Sequence, residues 1–76
     1  MPKLTASQEE VLSTIEAHGP LADHVLVPIV QHAYKSHQSS SGIRTRRAEL
    51  ADASLIEVTD KVKMPSGRQA DVWDVA

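Results

Sequence analysis

Apolar residues recur at helical spacing in the first part of the chain. Val11, Leu12 and Ile15 form one stripe, because residues three and four apart lie on the same face of a helix. The preceding Thr5 and Gln8 have the spacing of a capping box. Gly19-Pro20 then supplies a helix end and a residue that cannot continue it. The pattern predicts a helix over about 5–18.

A second helix is predicted over about 23–35. Its apolar face is wide and comprises Val25, Leu26, Ile29, Val30, Ala33 and Tyr34. Asp23 suits the N-cap position. Pro28 lies just beyond the first turn of such a helix, where it removes one hydrogen bond. Two interpretations follow: the helix begins nearer Val27, or its first turn is distorted.

The third helix is predicted over about 41–53, after a polar turn at 36–42. One of Ser39 to Ser41 is expected to cap it. A rotation of about 100° per residue places Ile43 and Leu50 together on the inner face. The outer face then carries Arg44, Thr45, Ala48 and Asp52, with Arg46 and Arg47 on opposite flanks.

After the third helix the apolar period changes from helical spacing to alternation. Strands are predicted over about 55–60 and 69–75, and Pro65-Ser66-Gly67 between them is a turn signal. Three helices followed by a two-stranded β-hairpin predict an α+β fold. The 76 residues leave room for one domain, over 1–76.

The composition restricts the core and the class of protein. The chain contains no Cys and no Phe, and only one Trp and one Tyr. These counts predict an aliphatic core and exclude a disulfide framework or a thiolate metal site. The sequence shows neither a membrane-spanning run nor the apolar region of a signal peptide. We therefore expect a cytoplasmic protein.

The net charge of −2 conceals two basic blocks. Residues 35–47 have a net charge of +4 from Lys35, Arg44, Arg46 and Arg47. Residues 61–68 have a net charge of +3 from Lys61, Lys63 and Arg68. The field at a surface follows local clustering of charge, so a fold that joins these blocks would attract a polyanion.

The order of elements and several short runs resemble the winged helix-turn-helix DNA-binding domains, in particular the small stand-alone kind of bacteriophages and bacteria. Ser41-Gly42-Ile43-Arg44-Thr45-Arg46-Arg47-Ala48-Glu49-Leu50 is similar to a recognition helix. Ala53-Ser54-Leu55-Ile56 is similar to the helix exit, and Met64-Pro65-Ser66-Gly67-Arg68 through Val72-Trp73 to the wing and its returning strand. The resemblance covers about residues 5–75. Ser54 departs from the glycine frequent in the family.

The resemblance implies that the third helix enters the major groove of DNA and that the hairpin, or wing, reaches flanking phosphates. Arg44 on the outer face could bond a guanine bidentately, and Ala48 could touch a thymine methyl group. Hydroxyl and amide groups at a helix N-terminus bind phosphate well. The predicted DNA-binding residues are Ser39, Ser40, Ser41, Arg44, Thr45, Arg46, Arg47, Ala48, Lys61, Lys63 and Arg68.

Structural roles compete with binding for several of these cations. Arg47 could pair with Glu49, Asp71 or Asp74, and Arg46 with Glu49 or Asp52. Lys61 and Lys63 could serve only to protect an exposed edge strand, a common use of lysine.

Catalytic and metal-binding patterns are not found in the sequence. His18, His24, His32 and His37 lack the i,i+4 pairing of a metal-binding helix, and no nucleophile elbow or phosphate loop is present. We expect no enzyme, no cofactor and no metal. The predicted function is double-stranded DNA binding, sequence-specific or semi-specific, in a small transcription or recombination regulator of a bacterial or phage-infected cell. The alternative is a protein-docking module that binds or sequesters a partner protein. With no extra helix for a dimer interface, we expect a monomer or a weak dimer.

Overall fold

The capping box at the start of the first helix forms as predicted. In the computed structural model, which describes residues 3–34 and 38–76, the Thr5 amide donates to Gln8 Oε1 at 2.9 Å and the Gln8 amide to Thr5 Oγ1 at 3.2 Å. Helix α1 spans Ala6–His18 and ends at Gly19, whose φ is 77°. Glycine adopts this left-handed conformation at little steric cost. Local sequence therefore sets both ends of α1.

Helix α2, Asp23–Ala33, differs from the prediction at its start. Asp23 is the first helical residue, and Ala22 takes the N-cap position without a side-chain hydrogen bond. The assignment of Asp23 as N-cap is therefore wrong. Pro28 lies inside the helix, which rules out a start near Val27. The predicted end at residue 35 lies outside the described residues, as does Ser36-His37 in the predicted polar turn.

Ser39 caps helix α3, Ser40–Asp52, through a 3.0 Å hydrogen bond from the Gly42 amide to Ser39 Oγ. Two backbone hydrogen bonds cap the C-terminal end of α3. The Leu55 amide donates to the Leu50 carbonyl, and the Ser54 amide donates to the Ala51 carbonyl, both at 3.0 Å. This pattern requires a left-handed residue after the helix, and Ser54 has φ 61°. Ser54 therefore adopts the conformation for which glycine is favoured.

Within the described residues the sheet has three strands rather than the predicted two. Strand β1, Leu21–Ala22, precedes α2 and pairs antiparallel with β3, Gln69–Val75. Strand β2, Ile56–Lys63, pairs with the other edge of β3, so the strand order is β1-β3-β2. A strand of two residues is too short to show alternation, which explains why the sequence did not predict β1.

The hairpin of β2 and β3 extends further than predicted, since β2 continues to Lys63 instead of ending at about 60. The Gly67 amide donates to the Met64 carbonyl at 2.9 Å, and the Met64 amide to the Arg68 carbonyl at 2.7 Å. Gly67 has φ 89°. These bonds define a three-residue hairpin loop with a glycine in the left-handed position.

The core is aliphatic and lies between the three helices and one face of the sheet. Its fully buried side chains are Val11, Ile15, Leu26, Val30, Ile43 and Leu50. Ile56 joins the same cluster from β2, and Trp73 packs against it from β3. The element order and the strand order are those of a winged helix, so the predicted α+β winged helix-turn-helix fold is confirmed.

Candidate nucleic-acid interface

The exposed face of α3 carries the residues predicted to read bases. Ile43 and Leu50 are fully buried, while Arg44 and Thr45 are exposed and Ala48 is half-buried. Arg44 makes no ion pair with any residue in the described part of the chain. The Thr45 hydroxyl donates to the Ser41 carbonyl at 2.9 Å, which fixes its direction along the helix. Arg44 is thus a long cationic side chain available to a ligand.

Three exposed serines form the N-terminal end of α3. Ser39 Oγ accepts from the Gly42 amide and lies 3.3 Å from Ser41 Oγ. The amides of the first helical turn point out of this end, because they have no carbonyl one turn earlier. The serines are therefore placed as the sequence predicted, beside a helix terminus that favours an anion.

Arg46 is tied to the surface of its own helix. Its Nε donates to Glu49 Oε1 in an i,i+3 ion pair, and Gln8 Nε2 of α1 donates to the same oxygen at 3.2 Å. The hydrogen bond from Arg46, followed by that from Gln8, lowers the pKa of Glu49 below its ordinary value. This is one of the two pairings predicted as an alternative to DNA contact by Arg46.

Arg47 joins three elements of the fold. Its Nε and Nη2 donate to the two carboxylate oxygens of Asp23 at 2.9 and 2.7 Å. The guanidinium carbon lies 4.5 Å from the centre of the Trp73 ring. The predicted structural partners Glu49, Asp71 and Asp74 were thus wrong, since the partner is the first residue of α2. Sequence reasoning took Asp23 for a cap and gave no signal of this long-range pair.

The wing carries the second basic block at its exposed end. Lys61 Nζ lies 3.9 Å from Asp71 Oδ1 across the hairpin, and both side chains are largely exposed. An exposed pair at this distance stabilises the fold little and leaves the lysine available. Lys63 and Arg68 are exposed and have no ion-pair partner within residues 3–34 and 38–76.

The six cations of the predicted interface therefore fall into two groups. The first group has carboxylate partners: Arg46 and Arg47 are held by Glu49 and Asp23, and Lys61 is loosely paired with Asp71. The remaining three lie on two elements, α3 and the wing, and are Arg44, Lys63 and Arg68. Asp52, also exposed on the outer face of α3, reduces the positive field at that end.

An apolar cavity lies between the wing and the start of α2. Its volume is about 300 Å³, and Leu21, Val25, Val62, Met64 and Val72 contribute to its lining. Val25 and Val62 are exposed large apolar residues. This cavity is separate from the exposed cations of α3 described above.

The histidine, aspartate and glutamate side chains of the described residues form no group of three or more that could hold a metal ion. His37 lies outside those residues. None of the helices in the described chain combines the length and the apolar character that crossing a lipid bilayer requires. No protein-family model matches the chain, and no curated protein or solved structure is significantly similar to it.

Proposed function

We propose that this domain binds double-stranded DNA, with α3 in the major groove and the wing on the flanking phosphates. The observation that carries the proposal is the placement of exposed, unneutralised cations on both elements, namely Arg44 on α3 and Lys63 and Arg68 on the wing. A winged-helix layout presents its third helix and hairpin to one ligand, and a major groove about 12 Å wide admits a helix.

The residues of α3 have different roles in this proposal. Arg44 reads a guanine through a bidentate hydrogen bond, and Ala48 allows close approach or contacts a thymine methyl group. Thr45 contacts the bases or backbone beside Arg44. Ser39, Ser40 and Ser41 bind a phosphate at the helix terminus, where amide groups and the helix dipole favour an anion. Arg46 and Arg47 contribute less, since carboxylates hold both.

Because carboxylates pair with three of the six cations, the expected affinity for DNA is limited. Each phosphate neutralised by a cation releases counterions, so with about three free cations we expect log K to fall with log salt with a slope of about −2 to −3. Such a module binds weakly alone. The resemblance to small phage and bacterial winged-helix domains supports a role as a transcription or recombination regulator in the cytoplasm, without catalytic chemistry.

Fluorescence anisotropy with a labelled random-sequence duplex, titrated at about 50 and 200 mM salt, tests the proposal. We expect binding at low salt that weakens with salt and is lost in the double variant Arg44→Ala/Lys63→Ala. Lys3→Ala is the matched control, because Lys3 is exposed at the other end of the chain and outside both elements.

Circular dichroism establishes that each variant is folded. If the folded wild-type protein does not bind duplex DNA at low salt, the proposal is wrong. A pull-down would then test the second candidate, a winged-helix module that docks on a partner protein. Binding that persists unchanged at higher salt would also contradict an interface built from lysine and arginine.

A further inference from the structure

Strand β2 contains one residue more than the stretch of β3 that it pairs with. Val58 lies opposite Trp73 and Asp60 lies opposite Val72, so Thr59 has no counterpart. This is a β-bulge, in which two residues of one strand oppose one residue of the other. Beyond it the pairing is regular, with Lys61 opposite Asp71 and Lys63 opposite Gln69.

The bulge changes which residues of β2 share a face of the sheet. Residues directly opposite in an antiparallel pair lie on the same face, and alternate residues of β3 share a face. Lys61 and Lys63 therefore lie on the face that carries Trp73. Asp60 and Val62 lie on the other face, with Val72. Without the bulge, Lys61 and Lys63 would lie on the Val72 face, and Asp60 and Val62 would lie on the Trp73 face.

The face that carries Trp73 is the face on which the helices pack. Ile56 and Trp73 on this face pack with the helical core, and the guanidinium of Arg47 lies over the Trp73 ring. Arg44 is three residues before Arg47 and is its neighbour on the helix surface. The exposed lysines of the wing thus continue, on one side of the molecule, the cationic surface that begins on α3.

The opposite face of the wing has a different chemistry. Val62 and Val72 of this face line the apolar cavity beside α2, to which Lys63 also contributes. Asp60 adds a carboxylate whose oxygen accepts from the Lys61 amide at 2.8 Å. This face of the hairpin end presents the Asp60 carboxylate and the exposed Val62 but no lysine, whereas on the Trp73 face two lysines outnumber Asp71. The two faces of the hairpin end are therefore unequal, and the bulge determines which one points to the α3 side.

We propose that the wing engages the phosphate backbone of the duplex through its Trp73 face, and that the bulge at Thr59 positions Lys61 and Lys63 on that face. The inference rests on the proposed function, because it assumes the duplex that α3 occupies. It adds the orientation of the wing: the contact is made by one face of the hairpin, and the face carrying Val62 points away from the DNA.

Three changes test the face without changing the number of lysines. Insertion of a threonine between Asp71 and Val72 gives β3 the residue that it lacks opposite the bulge. The ladder is then uninterrupted, and Lys61 and Lys63 move to the opposite face. A permutation within β2 (Asp60→Lys, Lys61→Asp, Val62→Lys, Lys63→Val) moves the lysines to that face with the bulge intact. The insertion and the permutation combined return the lysines to the Trp73 face. Deletion of Thr59 is the matched control, because it removes the bulge and leaves the lysine face unchanged.

We expect the insertion alone and the permutation alone to weaken binding of a random-sequence duplex about tenfold or more at about 50 mM salt, and to reduce the salt slope by about 1–2. The combined variant and the Thr59 deletion should bind as the wild type does. Cross-strand nuclear Overhauser effects between residues 61 and 71 verify the hairpin in every variant. The permutation keeps the wild-type backbone and so provides a test if the insertion does not fold.

The outcomes separate this inference from the proposed function. If the folded wild type does not bind the duplex, both fail. If the wild type binds and the insertion and permutation variants bind with the same affinity and slope, the orientation of the wing is wrong while DNA binding stands. Loss of binding in a folded Thr59 deletion, or no recovery in the combined variant, also overturns the inference.

Discussion

The guanidinium of Arg47 donates two hydrogen bonds to the carboxylate of Asp23, at 2.9 and 2.7 Å. The pair connects the middle of α3 to the first residue of α2, so it fixes the two helices of the helix-turn-helix against each other. Only 19% of the Arg47 side chain and 26% of the Asp23 side chain are exposed. A pair this shielded from water is screened less than a surface ion pair.

Replacing Asp23 with alanine is expected to lower the free energy of unfolding by about 1–3 kcal/mol, because it leaves a charged donor group partly buried without its acceptor. The change also removes an acidic residue from a helix N-terminus, where it interacts favourably with the helix dipole. Urea denaturation followed by circular dichroism measures the effect. Asp52→Ala is the control, since Asp52 is exposed and its loss should change stability by less than about 0.5 kcal/mol. Equal urea midpoints for the two variants would contradict the structural role of the pair.

Ser54→Gly is expected to stabilise the protein by roughly 1 kcal/mol, because Ser54 holds a left-handed backbone conformation that costs a side-chain-bearing residue about that much. In a domain of this size that corresponds to a rise in Tm of about 4–8 °C. Thermal unfolding measures it. The same change at Ser13, exposed inside α1, should lower Tm, since glycine is a poor helix former. A Tm that falls in both variants would show that the end of α3 does not need this conformation.

Arg44→Ala should weaken binding to the preferred DNA site by about 1–3 kcal/mol and relax sequence preference at one base pair, because the bidentate bond to guanine is lost. Arg68→Ala should instead weaken binding to all sequences alike and flatten the salt slope by about one. Competition binding with a library of duplexes, followed by sequencing of the bound fraction, distinguishes the two. If both variants change the preferred sequence in the same way, the separation of roles between α3 and the wing is wrong.

Glu49→Gln is expected to tighten DNA binding. The substitution removes a negative charge from the exposed surface of α3 and weakens the hold on Arg46, whose Nε donates to Glu49 Oε1. One additional phosphate contact should steepen the salt slope by about 0.9. Anisotropy titration at two salt concentrations measures both changes. Glu16→Gln serves as the control, since it removes the same charge from an exposed position on α1. Unchanged or weaker binding in Glu49→Gln would place α3 away from the DNA.

The same residue contributes a pH dependence of stability. The hydrogen bonds from Arg46 and Gln8 lower the pKa of Glu49 in the folded protein. The stabilisation is therefore present above the pKa of the unfolded state and is lost as the pH falls through the folded-state pKa. Urea unfolding at about pH 7 should show the wild type more stable than Glu49→Gln, with the difference decreasing as the pH falls through the folded-state pKa of Glu49. A difference that persists at low pH would mean that the carboxylate charge is not its source.

Apart from the N-cap of α2, the parts of the fold that local sequence determines were predicted well. The capping box of Thr5 and Gln8, the glycine after α1 and the serine cap of α3 each depend on residues within one helical turn of each other. The short strand β1 and the partner of Arg47 were missed because both depend on residues far apart in sequence. Asp23 lies 24 residues from Arg47, and nothing in either segment identifies the other.

In the candidate interface, too, the features that local sequence determines were predicted, and those that depend on distant residues were not. The exposure of Arg44 and the burial of Ile43 follow from helical periodicity, which the sequence displays directly. The faces of β2 could not be predicted, because Val58 and Val62 are four positions apart in the sequence and strict alternation would place them on the same face. The bulge at Thr59 separates them, and its position depends on the pairing with β3 and not on β2 alone.

Trp73 is the only tryptophan in the chain, and it lies where β3, β1 and the Arg47 guanidinium meet. The tryptophan emission of the protein, excited at wavelengths that Tyr34 does not absorb, is thus a single-site optical signal. A cation stacked on an indole ring perturbs its excited state, so the emission reports whether Arg47 remains in place. Movement of α3 relative to the sheet, on mutation or on engagement of a ligand, becomes measurable in real time without any attached dye.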